Sequence, residues 1–316
     1  MSDRQAVGID IGGTKIAALR ISAEGEILDS TVIPTPATDP SAALPAIEAA
    51  GAEVMNEAVG AIGVGIAGLV DVRAGILLSS PNLAWRHLPL RDGLSARFRV
   101  PVIVENDATA AAWAESRLGA SRGRDDSLFV GIGTGIGGGI IAEGRLIRGA
   151  HGLAGEVGHI IVEPGGSLCG CGNHGCWEQV ASGVAIERAG RRAVTDEPGS
   201  AIARLAGGDP RRVTGELVTE AAQGGDEVAV AILATVGRRL GEGVAGLVNV
   251  LDPEVVVIGG GVGEAGDVVL APLREAFLAS VEGADVRPEV PIVPAHLGND
   301  AGAIGAALLA LAAASG

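Results

Sequence analysis

Apolar positions along the chain fall into two kinds of run. Short, nearly unbroken runs of Val, Ile and Ala punctuated by glycine occupy 6–22 ("AVGIDIGGTKIAALRIS"), 61–70 ("AIGVGIAGLV"), 127–147 ("SLFVGIGTGIGGGIIAEGRLI") and 254–263 ("EVVVIGGGVG"). Runs of this length without polar alternation predict strands buried on both faces. The first and third each read as strand, Gly-rich turn and second strand. "GEILDSTVIPT" (25–35), "VPVIVEN" (100–106) and "PIVPAHLG" (291–298) add further strands. Longer segments read as helices: 40–58, 107–120, 226–253, which stops at Pro253, and 299–314. Strands alternating with helices predict an α/β architecture with largely buried sheets.

Aligned, "VGIDIGGTKIAA" and "VGIGTGIGGGIIA" share one design, an apolar strand, a Gly turn and a second apolar strand. This internal repeat implies two related halves. The polar stretch "SRGRDD" (121–126) lies between them as the expected hinge, and 316 residues suffice for two domains.

Composition narrows the picture. Aromatic residues are 2% of the chain and tyrosine is absent, so the core is predicted to consist of Val, Ile, Leu and Ala. A net charge of -15 argues against nucleic acid and against an anionic membrane as partners. It leaves room for an anionic substrate, because a nest of backbone N–H groups binds phosphate even in an acidic protein. No apolar segment is long enough to span a bilayer, and no signal peptide is read before the first strand. The three cysteines cannot all pair with one another, which points to a reducing, cytoplasmic location.

The Gly turns are the first candidate chemistry. In "DIGGTK", Gly12 and Gly13 allow backbone N–H groups to approach a phosphate, Thr14 and Lys15 add donors, and Asp10 would face a cation or a phosphate-bound water. A plain hairpin is the competing reading. The second turn holds G-x-G-x-x-G from Gly133 to Gly138, but a strand follows it instead of the helix of a dinucleotide-binding fold. In the third, Gly259 to Gly261, Glu264 stands where that fingerprint needs its last glycine. "ENDATAAA" places Asn106 and Asp107 at a strand-to-helix junction. Either residue suits an N-cap, and Asp107 also suits the carboxylate that accepts a hydroxyl proton in phosphoryl transfer.

The sharpest signal is "GEVGHIIVEPGGSLCGCGNHGCWE" (155–178). Cys169, Cys171 and Cys176 on one Gly-rich loop want one more ligand for tetrahedral zinc. That ligand is His159 or His174. His159 is favoured because it arrives from a separate segment. With no open position evident, the zinc would be structural.

The succession "DIGGTK", "ENDATAAA", "GTGIGGG", "GEVGH", "CGCGNHGCWE" and "GGGV" resembles the ROK family of bacterial sugar kinases, repressors and related proteins over essentially the whole chain. The resemblance implies an α/β, two-domain actin-like or hexokinase-type (ribonuclease H-like) fold with a central cleft. The smaller domain would be 1–120 completed by a terminal helix at 299–316, and the larger 121–298 with the zinc loop. By the same resemblance, Asp10, Gly12, Gly13, Thr14, Lys15, Gly133, Thr134, Gly135, Gly137 and Gly138 match the ATP-phosphate loops, and Gly260 and Gly261 the adenosine side. Asn106, Asp107, Glu156, His159 and Glu178 match sugar contacts, Asp107 being the base, and His159 matches the zinc ligand beside Cys169, Cys171 and Cys176. The implied activity is Mg2+- and ATP-dependent phosphorylation of a hexose at its 6-hydroxyl, with glucose as the expected sugar. An N-acetylhexosamine (N-acetylglucosamine or N-acetylmannosamine) is the alternative. A ROK repressor is expected to carry an N-terminal helix-turn-helix, for which a first strand near Ala6 leaves no room. An NAD-dependent dehydrogenase leaves the duplicated hairpins and the cysteine loop unexplained. A homodimer or homotetramer is implied by the resemblance alone.

Overall fold

The computed structural model describes residues 4–314. The chain opens with β1 (Gln5–Ile11), β2 (Lys15–Ile21) and β3 (Ile27–Pro34), then α1 (Pro40–Val54) and β4 (Val59–Ile66). Three short strands follow, β5 (Leu69–Asp71), β6 (Ile76–Ser79) and β7 (Arg86–Leu88), then α2 (Leu90–Phe98), β8 (Val102–Asn106) and α3 (Asp107–Leu118). Next come β9 (Ser127–Ile132), β10 (Ile136–Ala142), β11 (Arg145–Leu146), α4 (Glu178–Ala181), α5 (Gly183–Asp196), α6 (Ala201–Leu205) and α7 (Gly215–Gln223). The long α8 (Glu227–Leu251), β12 (Val255–Gly259), α9 (Asp267–Ser280), β13 (Ile292–Pro294) and α10 (Ala301–Ala313) complete it.

Two five-stranded sheets organise these elements, β3-β2-β1-β4-β8 and β11-β10-β9-β12-β13, with a small antiparallel sheet β5-β6-β7. The single strand expected at 61–70 is β4 followed by β5, and for β6, β7 and α2 the sequence pattern predicted no element. The chain divides into two compact units. The first comprises 1–129, 138–155 and 295–316, the second 130–137 and 156–294. Residues 138–155 therefore group with the first unit, whereas the expected division had breaks only near 121 and 299. Steric fit explains this: a Cβ on Gly139 would stand 2.3 Å from Ala112 Cβ, so β10 lies directly on α3. No helix among the described residues is long and apolar enough to cross a membrane.

In the first unit, β1 and β2 form a hairpin in register Ile11↔Ile16, and β4 and β8 join β1 in parallel. Buried Val7, Ile9, Ile62, Val64 and Val104 meet Ile47 of α1 and Leu94 of α2 on one face of the sheet. The other face carries α10, which sits on the strands almost backbone to backbone. A Cβ on Gly8 would fall 1.9 Å from Ala303 O and one on Gly63 1.8 Å from Ala306 O. Those two glycines thus position the terminal helix, and they explain why the α10 residues against them, Ala303 and Ala306, are small. In the second unit, Gly237 and Gly241 of α8 do the same against α9, where a Cβ would meet Val269 O at 2.5 Å and Leu273 O at 2.2 Å.

Candidate functional site

In the first unit the hairpin turn between β1 and β2 is closed by Gly12 N–H donating to Lys15 O at 3.0 Å. Thr35 braces it, its hydroxyl donating to Gly12 O at 2.8 Å and its N–H to Thr14 O at 3.0 Å. A Cβ on Gly13 would lie 3.1 Å from Asn82 Cβ, so the loop after β6 leans on this turn. Asp10 ends β1. Burial first, then the charge of Asp107, pushes its carboxyl up to about 7; Lys15 works in the opposite direction.

Asn106 and Asp107 stand where β8 becomes α3. Asn106 is the N-cap, its Oδ1 accepting from Thr109 N–H at 3.0 Å, while its Nδ2 donates to Gly68 O at 3.3 Å. Capping is thus done by the asparagine, and the Asp107 carboxylate is not needed for it. Burial raises the pKa of Asp107, against backbone and Asn106 hydrogen bonds that lower it. A raised pKa makes this half-buried carboxylate, when ionised, a stronger proton acceptor, which suits a general base. One residue earlier, buried Glu105 pairs with Arg148 Nε at 2.6 Å and accepts Asn106 N–H at 3.1 Å, which fixes the end of the strand.

In the second unit the donor atoms of His159, Cys169, Cys171 and Cys176 lie within 4.8 Å of one another. His159 Nδ1 is 3.6 Å from Cys169 Sγ, and Cys171 Sγ is 3.6 Å from Cys176 Sγ. The other candidate, His174, bonds Gly166 O through Nδ1 at 2.9 Å instead. Burial pushes the Cys169 and Cys176 thiols up. A soft divalent cation reverses that by binding the thiolates, so three thiols and one imidazole at this spacing fit tetrahedral zinc. On its far side His159 Nε2 faces Glu156 Oε2 at 3.8 Å. The imidazole therefore has one nitrogen toward the thiols and the other toward a carboxylate. Glu178 opens α4, with Oε1 2.9 Å from Cys169 Sγ.

The second Gly turn is tight, Gly133 N–H donating to Gly135 O at 3.0 Å. The turn itself is 133–135, and Gly137 and Gly138 lie inside β10. Gly138 O is 3.5 Å from the Thr109 hydroxyl, so its carbonyl faces α3. The third turn is packed on the end of β9. Val262 N–H donates to Ile132 O at 3.1 Å, and Gly260 has φ +78 with space for no Cβ, which would meet Ile132 O at 2.5 Å. Gly261 is open.

The sequence matches the ROK family over residues 6–313. The chain belongs to the ROK family. A glucokinase of Streptomyces coelicolor is 44% identical to it over 308 residues, 96% of each chain. An N-acetylmannosamine kinase of Escherichia coli is 38% identical over 306 residues, 96% of this chain and 97% of the other. Among solved structures, a ROK family glucokinase from Streptomyces griseus, in complex with glucose and AMPPNP, superposes with a TM-score of 0.89. Its sequence is 44% identical, and 98% of this chain and 99% of that one are covered. The α/β fold of this ROK protein is accordingly of the hexokinase type.

Several residues around these groups escaped the sequence reading. Gly68 and Asn82 touch Asn106 and Gly13 from loops that carry no motif. Asp300, in the turn before α10, adds to the charge that raises Asp10. The repeat of Asn-Asp at 106–107 and 299–300, each at the start of an Ala-rich helix, was the available signal for Asp300.

Proposed function

We propose that this ROK protein transfers the γ-phosphoryl group of ATP to the 6-hydroxyl of glucose. The observation that carries the reading is Asp107: a half-buried carboxylate of raised pKa, relieved of capping by Asn106, in a chain that matches sugar kinases over 96% of its length. In this mechanism Asp107 accepts the proton of the 6-hydroxyl, and the oxygen attacks the γ-phosphorus in line. Asn106, Glu156, His159 and Glu178 take the other hydroxyls, carboxylates accepting and amide and imidazole donating. The turns at Gly12–Lys15 and Gly133–Gly135 would present to the phosphates the backbone N–H groups that do not close them, and Gly260 and Gly261 lie toward the nucleoside. Magnesium, when bound with ATP, offsets phosphate charge. Zinc held by His159, Cys169, Cys171 and Cys176 would fix the orientation of the imidazole and stiffen a loop with little apolar material of its own.

The likeness to the S. griseus glucokinase crystallised with glucose and AMPPNP supports both substrates. The likeness to the N-acetylmannosamine kinase favours a second reading, the same transfer to an N-acetylhexosamine. The free thiols support a cytoplasmic setting, and a homodimer or homotetramer is proposed by family resemblance, to be read by light scattering. The deciding experiment is a coupled ADP-release assay over glucose, mannose, N-acetylglucosamine and N-acetylmannosamine. Glucose should give the highest kcat/KM; a preference for an N-acetylated sugar selects the second reading, and turnover on none refutes both.

A further inference from the structure

The glycines of a phosphate-binding turn are expected to serve the phosphate. One of them here faces something else. An ideal Cβ on Gly135 would stand 2.5 Å from Glu178 Oε2 and 3.6 Å from Glu178 Cδ, and would meet nothing else within 4 Å. A Cβ on Gly133, two residues away, would meet nothing at all. Neither glycine has a positive φ, so neither is required by backbone conformation. The space above Gly135 is thus filled by the carboxylate of Glu178.

That carboxylate stands beside the cysteine loop, on a segment that is tied to the turn. Cys169 Sγ lies 2.9 Å from Oε1, and His159 Nδ1 3.9 Å from it. The backbone of the same segment is joined to the turn: Gly183 N–H donates to Gly133 O at 2.9 Å and Val184 N–H to Thr134 O at 3.2 Å. The Ser182 hydroxyl closes α4 by donating to Glu178 O at 2.6 Å. The stretch from 178 to 184 therefore runs along the donor turn, fastened at its far end by backbone hydrogen bonds and lying at its near end with Glu178 over Gly135.

We propose that Gly135 is a positioning residue for Glu178: its missing side chain leaves the place in which the carboxylate stands to receive a sugar hydroxyl. This rests on the reading of Glu178 as a sugar contact. It assigns the glycines of one turn to different ligands, Gly133 to the phosphates and Gly135 to the sugar. It also reverses what the phosphate reading alone predicts for position 135, namely impaired nucleotide use with sugar binding intact.

The test is glucose binding without nucleotide, by calorimetry on metal-replete wild type, Gly135→Ala, Gly133→Ala, Glu178→Asp and the double variant Gly135→Ala/Glu178→Asp. A methyl at 135 displaces Oε2, and loss of one charged hydrogen bond corresponds to about a tenfold or greater rise in the glucose Kd. Gly133→Ala should leave that Kd near wild type and raise the KM for ATP. In Glu178→Asp the shorter side chain withdraws its carboxylate from the added methyl, so the double variant should bind glucose better than the product of the two single losses. Because the methyl meets only the mobile end of a side chain, Gly135→Ala should fold with a near-normal Tm; misfolding of that variant overturns the proposal. So does an unchanged glucose Kd in Gly135→Ala, or strict additivity in the double variant. Failure of wild type to bind any hexose refutes the functional reading instead, which keeps the two outcomes apart.

Discussion

Asp10 and Asp107 are two carboxylates whose surroundings push both toward the protonated form, and each makes a separate prediction. Asn106 caps α3, so Asp107→Asn removes no cap and keeps the shape of the side chain. Its kcat should fall by about 10²-fold or more, while glucose affinity measured by tryptophan quenching changes far less. Turnover within a few-fold of wild type would leave the mechanism without a base. Asp10 titrates at about 7 in the fold against 3.8 for the free side chain. Between those pH values the folded protein holds a proton that the unfolded chain has released. Stability from this group is complete below the lower value, declines as pH rises, and stays low above the upper one. Asp10→Asn removes that decline. In ligand-free protein at pH 8 it should melt above wild type, by an amount bounded by ~4 kcal/mol for a shift of this size. The difference should close as pH falls toward 4. A variant that melts below wild type at pH 8 contradicts the burial argument.

At the scale of elements, the strands and helices were legible because each followed its own rule. Continuous Val and Ile gave β1, β4, β9 and β12, and Asn106 and Pro253 marked helix limits. What was not legible depends on distance through space. Nothing in "GTGIGGG" tells that the turn is 133–135 while Gly137 and Gly138 belong to a strand, because Gly serves both a turn and a close approach. The partner of Gly135 is 43 positions away, and no periodicity reports such a contact. The cysteine loop is the opposite case, since its chemistry is carried by residue type and local spacing. It carries the third prediction. Cys171 is the exposed thiol of the three, so Cys171→Ser opens no cavity. It should cost the protein its zinc, measured by atomic emission, and most of its kcat/KM, with nucleotide binding retained. Wild type purified without chelator but lacking stoichiometric zinc would remove the metal from the account.

For the whole molecule, the first unit is assembled from three separate pieces of chain, and its integrity depends on what joins them. The resemblance implied a terminal helix that completes the smaller domain; it did not reveal the fastening. Glu115, near the end of α3, is fully buried, and no cation among the described residues pairs with it. Its carboxylate is satisfied by three backbone N–H groups: His296 at 2.9 Å and Leu297 at 2.8 Å on Oε1, and Ala120 at 2.6 Å on Oε2. One side chain thereby ties the helix that begins with Asp107 to the turn that delivers Asp300 and α10. Beside it a Cβ on Gly119 would strike Oε2 at 2.0 Å, so the local chain is shaped around the carboxylate. Glu115→Ala strands three donors, at about 1–3 kcal/mol each where water cannot reach them. A loss of at least ~3 kcal/mol corresponds to roughly 6–12 °C in Tm for a unit of this size. Glu115→Gln keeps one carbonyl oxygen and should lose less, because its Oε1 can still serve His296 and Leu297. Thermal melts of both variants check the order: alanine lowest, glutamine between, wild type highest. Since the turn after Leu297 carries Asp300, whose charge bears on Asp10, kcat should fall with Tm in the alanine variant even at temperatures where it is folded. An alanine variant melting within about 2 °C of wild type would show that the turn before α10 is held by the packing of α10 on β1 and β4, and that Glu115 is not what fastens it.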